Sequence, residues 1–321
     1  MQRCFFLRTA CTIFVTDMIA LALATICAAM FSVFFKIFQI KGIDGMKAIM
    51  VNYAVAFLWG WLISMKGSGL VNPFHESWFP IALILGLVFI RGLVLLNIST
   101  EKIGVALSTV CSRASMVIPI VFCYVFLPGS EKPNWLAIFI VIVGLIMIIC
   151  TDMRSVVGGQ GKRSRAIMLA LAVFLIFGTS NALLKWMQND MSMKYGSKGE
   201  DVVSAMNAMG TSVIFITAFL ICLFTELYKM LMSRKEKKER TRFTWQTILG
   251  GIGLGSANFF CTYLLVISMR TVDSSILFPF HNAGIVAIGA IVGWLCFGEK
   301  LKILQVAGMI VATIAIVWLC I

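Results

Sequence analysis

The chain has 321 residues, of which 60% are hydrophobic and 13% charged, and its mean hydropathy is +0.97. Soluble domains run about 45–50% apolar and about 25% charged, so this composition excludes an ordinary soluble enzyme, a disordered tail and a nucleic-acid module. The net charge of +13 is no nucleic-acid footprint, because the Lys and Arg residues gather in short loops between apolar runs, where membrane topology wants them.

A bilayer core takes about 20 apolar residues per helix, and only helices or a closed barrel satisfy the backbone there. The runs are too long and continuous for barrel strands of about 10 alternating residues. In chain order they read as residues 18–39, 46–65, 78–98, 103–127, 133–151, 166–188, 202–229, 245–267, 271–297 and 301–321. The expected fold class is an all-α membrane protein of ten transmembrane helices. Trp78, Trp135, Trp186, Trp245 and Trp294 fall near span ends, the depth at which an indole buries its ring and keeps its N–H wet. Residues 1–17 carry Arg3 and Arg8 and show no small-residue cleavage site followed by a polar start. They read as a leader extending the first helix, with Met18 an alternative start.

The 10 cysteines lie mostly in or at apolar runs and never at C-x-x-C spacing, and His75 and His281 cannot build a metal cluster with them. They read as small packing residues; no cofactor and no metal is expected.

Two halves of the chain align on each other. Phe34-Phe35-Lys36-Ile37-Phe38-Gln39 meets Leu183-Leu184-Lys185-Trp186-Met187-Gln188, Lys on Lys and Gln on Gln. Asn52 meets Asn207, each mid-helix. Further on, Lys102 meets Arg270, Arg113 meets His281, Glu131 meets Glu299 and Lys132 meets Lys300. The offset changes only in loops, where insertions are tolerated. The expected organisation is a leader (1–17), a first five-helix repeat (18–151), a linker (152–165) and a second five-helix repeat (166–321). Five is odd, so the second repeat enters the membrane from the opposite side, giving an inverted repeat of the kind found in secondary transporters.

The turn Gly293-Trp294-Leu295-Cys296-Phe297-Gly298-Glu299-Lys300-Leu301, with Gln305 and Gly308 after it, resembles the Phe-Gly-Glu-x-Leu turn of the drug/metabolite transporter superfamily, in its ten-helix EamA-type group. The first-half counterpart, Phe126-Leu127-Pro128-Gly129-Ser130-Glu131-Lys132, departs by placing Ser130 between Gly and Glu and Pro133 after Lys, and it lacks the following Gln. The resemblance spans about residues 18–321. It implies a small-molecule carrier working by alternating access, and it names no substrate. Gly298 permits the tight reversal, while Glu299 and Lys300 read as a polar anchor at headgroup level. The expected location is the plasma (cell inner) membrane, multi-pass.

Ionisable groups at bilayer depth are expensive and face a cavity or a partner. Lys36, Arg91, Arg113 and Lys185 are the cations within spans, whereas no Asp or Glu stands at a span centre. Glu226 is nearest and has Lys229 at i+3. Buried cations without a buried carboxylate suit an anionic or zwitterionic ligand, which Arg can hold by two parallel hydrogen bonds. In the fourth span Ser108, Ser112 and Ser115 share a face with Arg113 beside it, and Pro119 interrupts the helix. In the ninth, Ser274, Phe278 and His281 share a face, Asn282 is adjacent and Pro279 breaks the backbone.

The candidate substrate-binding residues are therefore Arg113, His281, Asn282, Arg91, Asn52, Asn207 and Ser112, with the pairs Arg113/His281 and Asn52/Asn207 facing each other across a central cavity. Each has a plainer reading: backbone bonding for Arg113, packing for His281, snorkelling for Lys36 and Lys185, interhelix hydrogen bonding for the two asparagines. In the nucleotide-sugar branch of the superfamily, polar motifs in the seventh and ninth helices line the cavity. Asn207, His281 and Asn282 occupy similar positions with different flanking residues. Gly251 and Gly255 permit close helix packing. Neither they nor Gly158-Gly159-Gln160-Gly161 has the strand that a phosphate loop requires.

Loops after odd-numbered spans carry more than twice the Lys and Arg of the other side, which puts those loops in the cytoplasm and both termini outside. Relatives in the resembled family are drawn with both termini inside, and the two readings conflict. An intramembrane enzyme would need a nucleophile–base set or a metal constellation, which the sequence lacks, so no enzyme is expected. A proton-coupled carrier would have to use His281. The expected function is a secondary transporter of a small polar metabolite, anionic or zwitterionic, such as an amino acid. A flippase for a lipid-linked metabolite, or a partner-dependent membrane subunit, is the alternative. Expected partners are the substrate and the lipid bilayer, with no nucleic acid, for a chain working as a monomer or a homodimer.

Overall fold

The computed structural model describes residues 2–66, 72–103, 105–127, 132–149, 160–233, 244–298 and 302–319, with the side chains of 2–14 and of a few other positions left out. It is helical, and no strand occurs among the described residues. The helices are α1 (Gln2–Lys41), α2 (Gly45–Ser64), α3 (Phe79–Ile103), α4 (Val105–Ala114), α5 (Val117–Phe126), α6 (Trp135–Ile149), α7 (Gln160–Tyr195), α8 (Glu200–Ser233), α9 (Trp245–Ser268), α10 (Ser274–Phe297) and α11 (Ile303–Leu319).

Among the described residues eight segments are long and apolar enough to cross a bilayer, α4 and α5 together making one from Ser108 to Phe126. The remaining two of the ten expected spans are the shorter apolar helices α6 and α11, of 15 and 17 residues. At 1.5 Å per residue, α11 reaches about 25 Å, short of the hydrocarbon core's ~30 Å. The residues that would complete these two spans, 150–151 and 320–321, lie outside the described residues. Large apolar side chains face outward along the helices, among them Phe139, Phe224, Leu295 and Ile303. Apolar exposure on this scale marks a surface made for lipid, and the protein is membrane-embedded.

Helix ends follow local chemistry. Asp44 caps α2 by accepting from the amides of Met46 and Lys47, and Asp273 caps α10 by accepting from Ser275 N at 2.7 Å. Gly298 ends α10 at φ +67°, a left-handed cap that suits glycine. Glu299, Lys300, Glu131 and most of the 152–165 linker lie outside the described residues.

The two prolines act differently from each other. Pro119 sits in the first turn of α5, and the break falls one turn earlier, at Ser115–Met116. Pro119 has no N–H to give the Ser115 carbonyl; Ile118 N takes that carbonyl instead, at 3.0 Å, and the turn tightens. Pro279, expected to break the ninth span, lies inside a continuous α10. It falls near the helix start, where one missing bond is tolerated.

By compactness the chain forms two units, each drawn from both halves. One comprises Met1–Ala29, Arg91–Trp186 and Leu264–Ile321; the other comprises Met30–Ile90 and Met187–Tyr263.

In the second unit α2 and α8 pack antiparallel. The Tyr53 and Phe215 rings are 6.1 Å apart, Ser212 Oγ donates to Phe57 O at 3.1 Å, and a Cβ added at Gly60 would lie 3.0 Å from Ala208 O. Phe57 and Ser212 stand in the same register as Asn52 and Asn207, so the crossing falls on residues that the expected repeat pairs. Gly251 and Gly255 give α9 its expected close approach, to α2: a Cβ at Gly255 would meet Asn52 O at 2.6 Å. The segment before α3 is tied to the end of α7, with Lys194 Nζ on Glu76 Oε2 and Ser77 Oγ on Asp190 Oδ2, both at 2.6 Å.

In the first unit α6 and α11 are also antiparallel. A Cβ at Gly144 would lie 2.9 Å from Ala312 Cβ, and one at Gly308 would lie 2.7 Å from Gly144 O. Gly144 and Ala312 share the register of Arg113 with His281, so this crossing too falls on residues that the expected repeat pairs.

Four of the five tryptophans expected at the interface, Trp135, Trp186, Trp245 and Trp294, are exposed; Trp78 is instead fully buried. Partial desolvation acts to raise the pKa of the Glu76 carboxyl, two residues earlier. The hydrogen bonds from Lys194 and Tyr195 outweigh this and hold it below the ordinary carboxylate range. A depressed carboxylate adds stability above its unfolded pKa, and that stability is lost as pH falls through the folded value. Glu76→Gln is therefore expected to lower stability at neutral pH by the ~0.2–1 kcal/mol of a part-exposed pair, and the thermal midpoint with it. Below the carboxylate range the variant should melt with the parent, so melts at the two pH values check the sign.

Candidate functional site

Arg113 stands in the last turn of α4, half-buried, just before the break at Ser115–Met116. A cation there complements the helix C-terminus. His281 and Asn282 are buried in α10. Arg113 and His281 stand on α4 and α10, helices that pack against each other, and the Arg113 charge acts on the His281 ring. They belong to the same unit, where α10 also meets α5 through Ser274 Oγ and Cys123 Sγ at 3.2 Å.

His281 has a partner that the sequence did not suggest. Its Nδ1 is 3.1 Å from Thr25 Oγ1 on α1, and the Thr25 hydroxyl donates to Leu21 O at 2.7 Å. Asn282 Nδ2 donates to Phe278 O of its own helix at 2.9 Å. Ser112 spends its hydroxyl on Thr109 O and Ser115 on Ser112 O, while Ser108 bonds Ser99. The serine face of the fourth span is thus satisfied by its own backbone and by α3. Arg91, at the other end of this unit's middle segment, is exposed.

Asn52 and Asn207 lie in the other unit. Asn52 Oδ1 accepts from Asn258 Nδ2 of α9 at 3.1 Å, so its bond goes to α9 and not to its expected mate. Asn207 is fully buried, and neither its Nδ2 nor its Oδ1 has a partner among the described residues. A buried amide left open in this way is unusual and fits a group that meets a ligand or water.

Lys185 does not run to the headgroups. Its ammonium donates to Met269 O, just past the end of α9, where it caps orphan carbonyls. The turn after it is held a second time. Asp17, 1% exposed in α1, pairs with Arg270 Nη2 at 3.4 Å and accepts from Thr271 Oγ1 at 2.8 Å. Sequence reasoning assigned Asp17 to the leader and Arg270 to a loop. The one available signal was their shared position at the start of apolar runs, which does not identify partners.

No family model matches the chain. It is similar to an uncharacterised protein of Haemophilus influenzae, at 24% identity over 302 residues covering 92% of this chain and 95% of the relative. It is also similar to a protein crystal structure, with a TM-score of 0.70 at 9% identity, covering 94% of this chain and 95% of that one. At that identity the likeness is one of fold.

Proposed function

We propose that the protein is a secondary transporter of a small anionic or zwitterionic metabolite, such as an amino acid. In this reading ten crossings form two inverted five-helix repeats of the drug/metabolite transporter type, in the cell inner membrane, and substrate passes by alternating access through a central cavity. The observation that carries the proposal is the placement of Arg113 and His281, which the expected repeat pairs, on the neighbouring helices α4 and α10. The antiparallel crossings of α2 with α8 and α6 with α11, each on residues the expected repeat pairs, support the inverted repeat, since a two-fold axis in the membrane plane brings equivalent helices together antiparallel where it passes between them. The buried carboxylate Asp17 is committed to Arg270 and Thr271. A guanidinium beside neutral polar groups favours a negatively charged substrate.

The test is uptake into vesicles reconstituted with purified protein. Arg113→Gln is expected to lose about tenfold or more in uptake, the worth of a charge-assisted hydrogen bond, with its thermal midpoint unchanged. Undiminished uptake by the folded variant removes the site. Movement of a labelled lipid-linked metabolite, with no uptake of soluble acids, would favour a flippase instead.

A further inference from the structure

The bond between Thr25 and His281 has a definite direction. A threonine hydroxyl carries one proton. In Thr25 that proton goes to Leu21 O at 2.7 Å, so toward His281 the oxygen can only accept. Nδ1 of His281 must then carry the ring proton and donate it across the 3.1 Å contact. In the neutral ring the lone pair is left on Nε2. The packing is close: a Cβ added at Gly284, one turn along α10, would lie 2.6 Å from Thr25 Cγ2. On α4, which packs against α10, stands Arg113, whose guanidinium has donors and no acceptor.

We infer that Thr25 is a positioning residue that holds His281 as the Nδ1–H tautomer. His281 Nε2 and Arg113 then form a mixed acceptor-and-cation site for a small acid whose carboxylate lies beside an N–H or O–H, an α-amino or α-hydroxy acid. This deepens the transporter reading and rests on it for the substrate. The guanidinium takes the carboxylate. Nε2, an acceptor, takes the neighbouring proton. An acid without that donor leaves the buried lone pair unmatched, which is the costly case.

The chain has 2 histidines, so isotopic labelling of histidine ring nitrogens yields two sets of resonances, and a His75→Gln variant assigns those of His281. The expected result is a protonated Nδ1 and a bare Nε2 in the parent and in Thr25→Ser, with that pattern lost in Thr25→Val. A bare Nδ1, or a doubly protonated ring, in the parent overturns the inference whatever the protein transports. In reconstituted vesicles, lactate and alanine should be favoured over propionate by about tenfold in the parent and in Thr25→Ser. Thr25→Val, matched for thermal midpoint, should lose that preference; a variant that keeps it overturns the site. The two readings fail differently. If transport is wrong, no acid enters the vesicles although lactate or alanine still shifts the Nε2 resonance. If the site is wrong, acids enter and that resonance does not move.

Discussion

Gly308→Leu is expected to be among the most damaging single substitutions in the protein. A Cβ at this position would lie 2.7 Å from Gly144 O, 2.8 Å from Met147 Cβ and 2.9 Å from Ile148 Cγ1. The nearest of these atoms is backbone and has no rotamer by which to withdraw. Overpacking of a helix seam costs about 1–3 kcal/mol, and the rigid partner puts this case at the upper end. In a membrane the loss is not recovered by other burial, because close van der Waals packing is itself what joins the helices. The thermal midpoint in detergent should fall by several degrees. Gly289→Ala, where nothing lies within 4 Å of the added Cβ, should be neutral or slightly stabilising, as an exchange of Gly for Ala in a helix is. Equal stability of Gly308→Leu and the parent would mean that α6 and α11 do not pack as described.

Asp17→Ala is expected to destabilise by about 3 kcal/mol. Asp17 is 1% exposed and faces Arg270 and Thr271, and breaking a buried pair strands the remaining charge in a poorly solvated place. The Arg270 side chain is 15% exposed, so water repays only part of the loss. Asp17→Ala with Arg270→Met should recover most of the stability, because the double variant leaves no lone charge. A thermal double-mutant cycle with a coupling near zero would show that the pair does not hold the turn between α9 and α10. A chain begun at Met18 lacks the carboxylate and should be at least as unstable as Asp17→Ala.

These two expectations mark where sequence reasoning ran well and where it stopped. The Gly144 seam lies where the duplicated pattern aligns the halves, so the equivalence of Gly144 with Ala312 was readable before any helix was packed. The pairing of Arg113 with His281 was readable in the same way, and the two stand on helices that pack together, α4 and α10. Asn52 and Asn207 carried an equally clear correspondence, yet Asn52 bonds Asn258. Correspondence between repeats fixes which residues are equivalent; it does not fix which equivalents touch, since only those near a crossing can.

From the sequence by itself came the apolar runs, their pairing into two halves and the rare charges within them, because each is a local property: hydropathy over about 20 residues, or like residues at one offset. Only the tertiary structure decided that Lys185 caps α9, that Asp17 is buried against Arg270, that the serines beside Arg113 bond their own backbone and α3, and that Thr25 orients His281. Each of these is a choice of hydrogen-bond partner. A buried polar group takes whichever donor or acceptor the packed helices carry to within about 3 Å, and helices joined by long stretches of chain encode that proximity in no short pattern.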